Sequence, residues 1–396
     1  MQQWHPQTIR VALRKARRRE SLGWMLDIAL AAALVLLCAV LTRCNAGGSS
    51  NVSLAAAAVK APKANIPPGG VLLQGAGATF PAVLYQKWFS AYQQQHPETV
   101  VAYEAVGSGE GIRRFVGHAV SQDDRVDFGA SDAAMQDEQM ASVKAGAILV
   151  PATAGAVALA YNLPDIGGEL KLSRQAYAGI FLGQIRSWND PIIARANPGL
   201  KLPKLTITTA VRQDGSGTTF AFTKHLDAIN EAWRSRFGPA TLINWPGNAM
   251  RARGNEGVAA LIQQSVGSIG YVGYEFARRA GLRMALIENR DGRFVAPNEQ
   301  SGAAGIAQVE LPENLRAYVA DPSGQDAYPI VTLTWVLLYR NYDDPHKAQA
   351  LQQILRWCLT DGQRYASTLG YIPLPAKVAD RSLAALNALQ AQPAGK

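Results

Sequence analysis

Cysteine, histidine and charge are all scarce in this chain of 396 residues. There are three cysteines, at positions 38, 44 and 358, and the first two lie in or beside an apolar leader. That leaves one for the folded part and excludes both a disulfide framework and a zinc-ligand spacing. Cys358 sits in the apolar pattern Ile354-Leu355-Arg356-Trp357-Cys358-Leu359 and reads as a buried small hydrophobe. The five histidines (5, 96, 118, 225 and 346) are scattered without metal spacing, so no metal and no cofactor is expected. No Gly-x-Ser-x-Gly elbow occurs, because position 106, ahead of Ser108, is Val. No Walker lysine follows any glycine loop. No period of 20–50 residues repeats, which excludes a solenoid.

The charge that is present is uneven. The net charge is +9, and residues 1–44 hold seven basic side chains against two acidic ones. More than half of the excess is therefore local to the leader. The rest of the chain carries no stripe of interleaved basic and aromatic residues, so nucleic acid is not an expected partner. A composition of 48% hydrophobic residues with 36 glycines is that of a globular protein with many tight turns.

The N-terminal part reads as a targeting segment. A basic cluster precedes an apolar run from Ile28 to Thr42, ended by Arg43. The run is long for a signal core and short for a membrane span. Basic residues ahead of it place the N-terminus in the cytoplasm and the remainder of the chain outside. Residues 1–46 are thus a signal or anchor segment, and the protein is expected to be periplasmic or extracytoplasmic. Three fates stay open: cleavage near Cys44-Asn45-Ala46, lipidation at Cys44, or retention of residues 24–44 as a membrane tether. Residues 47–70, rich in Gly, Ser, Ala and Pro, read as a flexible linker.

From Val71 the chain alternates short strands and helices. Val71-Leu72-Leu73 reads as a strand, and Gly75 to Phe80 as a glycine loop. Pro81 suits the first turn of the next helix. Val100 to Tyr103 is a second strand, the loop Gly107 to Gly111 comes next, and a helix is expected over 112–118. Val126 to Ala130 is a third strand, after which Ser131-Asp132 is expected to open a helix over 133–145. The apolar stretch Ala156 to Tyr161 crosses into a second lobe with the same grammar. There a strand over 205–211 precedes the loop 212–220 and a helix over 218–228. Strands at 267–272 and 328–339, helix over 346–369, and one amphipathic helix after Asp380 complete the chain. Repeated strand–loop–helix units predict an α/β fold of two lobes, each a mixed, mostly parallel sheet flanked by helices. The lobes are expected at 71–151 with 330–386 and at 152–329, with a tail at 387–396.

Four loops then share one chemistry. Arg212-Gln213-Asp214-Gly215-Ser216-Gly217-Thr218-Thr219-Phe220 sets a cation and its ion-pair partner before a glycine turn that ends in hydroxyls at a helix start. Unpaired backbone N–H groups, the macrodipole and close backbone approach at glycine all favour an oxyanion there. Each loop alone is also an ordinary turn and helix cap. Repetition at Thr79, Ser108 and Asp132, on the ligand-binding edge of α/β sheets, points to convergence on one cleft. A carboxylate at Asp132 repels a fully ionised oxyanion but accepts a hydrogen bond from protonated phosphate. Sulfate, with no proton to give near neutral pH, is disfavoured.

These residues resemble the phosphate-binding proteins of bacterial ABC-type phosphate uptake systems. The matching stretches include Gly75–Pro81, Lys87-Trp88, Gly107-Ser108, Val126–Asp132, Trp188-Asn189-Asp190, Asn197–Pro203, Arg212–Phe220, Trp245-Pro246, Gly254-Asn255 and Ser268–Val272. The resemblance runs from about residue 71 to 385. It implies a two-lobed periplasmic-binding (type II) fold closing on inorganic phosphate, and an ABC permease as partner. It implies ligand contacts from Thr79, Phe80 (backbone), Ser108, Asp132, Arg212, Ser216, Gly217 and Thr218, with Asp214 orienting Arg212. The implied protein is a monomeric receptor, not an enzyme. The alternatives are a tethered sensor or scavenger without a permease, a phosphoester hydrolase on the same scaffold, and a receptor for another oxyanion. One departure is Gly107-Ser108-Gly109-Glu110-Gly111 where members commonly show Gly-Ser-Ser-Gly-Gly. Glu110 is expected to point away from the anion.

Overall fold

The computed structural model describes residues 66–163 and 166–391. The expected leader 1–46, most of the linker 47–70 and the end of the tail 387–396 lie outside the described residues. In chain order the strands are β1 (Val71–Gly77), β2 (Thr99–Ala105), β3 (Phe128–Ser131), β4 (Ala147–Tyr161), β5 (Lys171–Leu172), β6 (Thr208–Arg212), β7 (Met250–Ala252), β8 (Ser268–Gly273), β9 (Arg283–Met284), β10 (Leu286–Glu288), β11 (Phe294–Val295), β12 (Val331–Tyr339), β13 (Asn341–Tyr342) and β14 (Gln390–Ala391).

A nine-stranded array runs β2-β1-β3-β12-β4-β8-β6-β7, with β9 also on β4. Pairing is parallel between β1 and both β2 and β3, and between β6 and both β7 and β8. The two central crossing strands pair antiparallel with their neighbours. The result is the expected mixed α/β architecture, in two sheet halves joined through β4.

The sequence of β4, AILVPATAGAVALAY, explains its central place. All 15 residues are buried, as a near-continuous apolar run requires when both faces are covered. Residues 147–156 pair with β12, and residues 157–161 pair with β8. One strand therefore serves both halves. Pro151 cannot donate to a ladder, and the register slips beside it, between Thr334 and Trp335 of β12.

Several expected elements differ. β1 runs on to Gly77, so Gly75–Gly77 is strand rather than loop, paired with β2 and β3. The helix expected over 112–118 starts at Ser108 and ends at Val116, with Gly107 (φ +98°) turning the chain into it. The helix expected over 133–145 is a single turn, Asp137–Ala141, capped by Gln136. Asp132 is therefore not at a helix start. Ser131 Oγ accepts the Ala133 N–H at 3.1 Å and donates to Ala133 O at 2.5 Å, a local turn that competes with helix. The helical run expected over 346–369 breaks into Pro345–Leu359 and Arg364–Leu369, and the last helix is Ala376–Leu386.

Cys358 is buried and free, as expected. His225 is buried between Tyr177 Oη (2.8 Å) and Ala320 O (2.7 Å), a structural strut. Burial lowers its pKa to about 4, so it stays neutral. Among the described residues no helix is long and apolar enough to cross a membrane. Among them, too, no group of His, Cys, Asp or Glu side chains is placed to hold a metal ion.

Candidate functional site

The ends of β1, β3 and β6 and the starts of three helices meet at one buried cluster. Thr79 and Phe80 follow β1 and precede the helix Ala82–Gln95. Two tyrosines hold this turn by its carbonyls. Tyr103 Oη donates to Ala78 O and Tyr371 Oη donates to Phe80 O, each at 2.7 Å. With the carbonyls taken, the turn presents its N–H groups. Among the described residues the N–H groups of Thr79 and Phe80 reach no protein acceptor, and neither do those of Ser108 and Thr218 in the first turns of their helices.

Hydroxyls and amides tie the two halves together. Ser108 Oγ accepts the N–H of Asp132 at 3.2 Å and the N–H of Gly217 at 3.1 Å. Gly109 N donates to Gly215 O at 2.9 Å. Asn255 Nδ2 donates to Thr79 Oγ1 at 3.0 Å and to Thr218 Oγ1 at 3.3 Å, and Asn255 Oδ1 accepts Gly273 N at 3.0 Å. Gly217 permits the approach. A Cβ there would lie 2.5 Å from Asp132 Cβ and 2.7 Å from Ser108 Oγ, distances no side chain tolerates. Ser216 caps its own helix, accepting Thr219 N at 3.1 Å. The cap and the cluster are the same loop.

Arg212 ends β6 and is 2% exposed. Its Nε donates to Asp214 Oδ1 at 2.8 Å and its Nη2 to Asp214 Oδ2, a two-pronged pair. Asp214 Oδ1 also accepts Gly254 N at 3.2 Å. Tyr271 Oη accepts the Arg212 N–H at 3.2 Å and bonds Thr219 Oγ1 at 2.7 Å. The guanidinium is thus fixed in direction while Nη1 has no protein acceptor among the described residues. Asp214 is largely buried, yet its carboxyl stays below the usual range. Burial raises it, and the Arg212 pair outweighs that.

Asp132 is 1% exposed, and Thr334 Oγ1 donates to its Oδ1 at 2.7 Å. Burial pushes its pKa up to about 7, against the lowering pull of Thr334, Arg212 and Ser108. The carboxyl therefore titrates near neutrality.

All eight expected ligand residues, and Asp214, belong to this one cluster. Glu110 does not. Its carboxylate turns outward to Arg113 (2.7 and 2.8 Å) and Arg114 (2.9 Å). Arg113 first, with Arg114, holds its pKa down to about 2. Four residues of the cluster are not among the expected contacts: Asn255, Thr334, Tyr103 and Tyr371. Asn255 is within reach of a reading of the sequence, since Gly254-Asn255 opens a helix just as the other loops do. Thr334 and the tyrosines lie inside strands or beyond a distant helix, and no local pattern marks them.

A family model described as the PBP superfamily domain matches residues 51–361. The chain is 36% identical over 309 residues to the phosphate-binding protein PstS of Pasteurella multocida, covering 77% of this chain and 87% of that protein. It is 32% identical over 389 residues to the phosphate-binding protein PstS of Methanocaldococcus jannaschii, covering 92% and 96%. Among solved structures it resembles the high-affinity periplasmic phosphate-binding protein PfluDING bound with phosphate, with a TM-score of 0.67, 21% identity and coverage of 79% and 93%. A phosphate-binding protein from Stenotrophomonas maltophilia gives 0.66, 20%, 80% and 94%. These two likenesses show the two-lobed type II periplasmic-binding fold.

Proposed function

The chain belongs to the PBP superfamily and to the phosphate-binding protein PstS family, and we propose on that premise that the cluster around Arg212 binds inorganic phosphate. The protein is then an extracytoplasmic receptor that delivers the ion to an ABC-type phosphate importer. The observation that supports this most is the set of unanswered donors. N–H groups of Thr79, Phe80 and Ser108 from one half, the N–H of Thr218 from the other, and Nη1 of the buried Arg212 all lack protein acceptors among the described residues, in one buried cluster. Such donors are costly to bury unless an anion takes them.

The roles follow from chemistry. Arg212, steered by Asp214, supplies the charge. Backbone N–H groups of Thr79, Phe80 and Thr218, with the hydroxyls of Thr79, Ser108, Ser216 and Thr218, satisfy the oxygens. Gly217 lets the second lobe approach. Asp132 accepts the phosphate O–H and disfavours sulfate. Closure of lobe 71–151 with 330–386 on lobe 152–329 is a population shift, driven by one ion touched from both sides. β4 and β12 are the crossing strands about which it turns.

The protein acts as a monomer and performs no chemistry on its ligand. Its location follows the family and the apolar run within residues 24–44, and the linker 47–70 suits a globular part held near a membrane. Calorimetry of the purified protein with phosphate, and then with sulfate, tests the reading. Tight phosphate binding with no sulfate response at about pH 8 is expected. A protein silent to phosphate, or one that hydrolyses phosphate esters, would overturn it.

A further inference from the structure

Behind the cluster lies a carboxyl that the site described so far does not use. Glu275 is the second residue of the short helix Tyr274–Arg279 directly after β8, and it is 0% exposed. Neither of its carboxyl oxygens makes a hydrogen bond. Its carboxyl fills the space beside Gly273, where a Cβ would run into it. Gly273 N in turn donates to Asn255 Oδ1 at 3.0 Å, and Asn255 holds both Thr79 and Thr218.

The groups that face Glu275 are few. The Tyr371 hydroxyl faces it from the segment after the helix Arg364–Leu369, and that same hydroxyl fixes Phe80 O. Asp132 acts on it across the cluster and disfavours its charge. Arg279, on its own helix, favours its charge but is outweighed by burial. An ionised carboxylate here is a buried charge: burial disfavours it most, its own backbone N–H and the Tyr371 hydroxyl offset this only in part, and the fold disfavours the charge. The proton therefore stays on well above the usual carboxylate range.

We propose that Glu275 sets the alkaline limit of anion binding: the site holds phosphate while this carboxyl keeps its proton and rejects phosphate once the carboxyl ionises. The inference rests on the phosphate reading above. The physics is linkage. An anion arriving near a neutral acid makes ionisation of that acid harder, so its pKa is higher in the bound protein than in the free one. A group whose pKa rises on binding makes binding weaker as pH rises through its free-state value. Asp132 acts in the opposite sense, since it must be ionised to accept the phosphate O–H. The two carboxyls then bracket a working range, Asp132 at the acid side and Glu275 at the alkaline side.

The test is phosphate affinity of the full-length protein by calorimetry from about pH 7.5 to about pH 9.5, where the ion is mainly the monoprotonated dianion. Wild type should weaken by at least about tenfold across this range, while Glu275→Gln should change by less than about threefold. Parallel profiles, or a wild type that does not weaken, would overturn the proposal. A second readout does not depend on the variant folding. Binding heats of wild type at about pH 9 in buffers of different ionisation enthalpy should show proton uptake, and their independence of the buffer would equally overturn it. A wild type that binds no phosphate at about pH 7.5 removes the phosphate reading itself, and this inference with it. Phosphate binding with a flat profile removes only the role of Glu275.

Discussion

Ser108 Oγ accepts the backbone N–H of Gly217 at 3.1 Å, so a hydroxyl at one helix start sits on the start of another, 109 residues away. Nothing in either loop alone requires this. It depends on Gly217 having no Cβ, because one would lie 2.5 Å from Asp132 Cβ. Gly217→Ala should therefore keep each lobe folded and hinder their approach. The expected result is a loss of phosphate affinity of at least about 100-fold, roughly 2.7 kcal/mol, with a melting temperature of the unliganded protein close to wild type. Calorimetry and thermal melts check it. Unchanged affinity would mean that the lobes do not need this approach to hold the ion.

Arg212 and Asp214 should not tolerate a nominally conservative change. A lysine at 212 offers a point charge in place of a planar fork and cannot meet Asp214 with two parallel bonds. It would leave Asp214, which also accepts Gly254 N, underpaired in a largely buried place. Arg212→Lys should weaken phosphate binding by more than about 100-fold, whereas loss of an exposed salt bridge would cost no more than about 1 kcal/mol. A variant within tenfold of wild type would show that charge alone, without direction, suffices.

The alternation of strand and helix is legible in the sequence because each strand is a short apolar run and each glycine loop is a clear punctuation. The cluster is legible for a related reason. The three helix-start loops carry hydroxyls and glycines in local patterns that a single stretch of sequence displays. Contacts made from a distance are not legible. Asp132 looks like a helix start, and is not one, because Ser131 bonds Ala133, a choice that propensity does not reveal. Thr334 reaches Asp132 from β12 at a separation of 202 residues. Tyr103 and Tyr371 clamp one turn from opposite ends of the chain. A hydroxyl in a buried strand reads as packing until its partner is known.

Glu110, though next to the cluster in sequence, should be separable from binding. Its carboxylate faces Arg113 and Arg114 and is about one third exposed. Glu110→Gln should change phosphate affinity by less than about threefold. Its effect on folding should be small, below about 1 kcal/mol, because the pair is screened by solvent. The sign with pH is fixed by the direction of the shift. The carboxyl is held down to about 2, so this small stabilisation is present above the ordinary carboxylate pKa and fades as pH falls towards 2. Tightening of phosphate binding by more than about tenfold would show that the carboxylate repels the ion after all.

Asp132 links selectivity to pH, and the two can be measured together. Its pKa is raised by burial to about 7, above the ordinary 3.8. The folded protein therefore prefers the protonated form, and the stability this contributes is full below the ordinary value and lost as pH rises through about 7. Asp132→Asn cannot ionise. It should melt with wild type at about pH 4 and about 2–4 °C above unliganded wild type at about pH 8. On the proposed reading, the ionised carboxylate takes the phosphate O–H and repels sulfate, and the amide does neither selectively. Asp132→Asn should narrow the phosphate-to-sulfate ratio by at least about tenfold at about pH 8. Wild type should move the same way on acidification, because a protonated Asp132 becomes a donor that sulfate can accept. Sulfate competition against bound phosphate should then appear at about pH 5.5 and be absent at about pH 8. If the ratio is the same in the mutant and flat with pH in wild type, proton reading by Asp132 is not how this site chooses its ion.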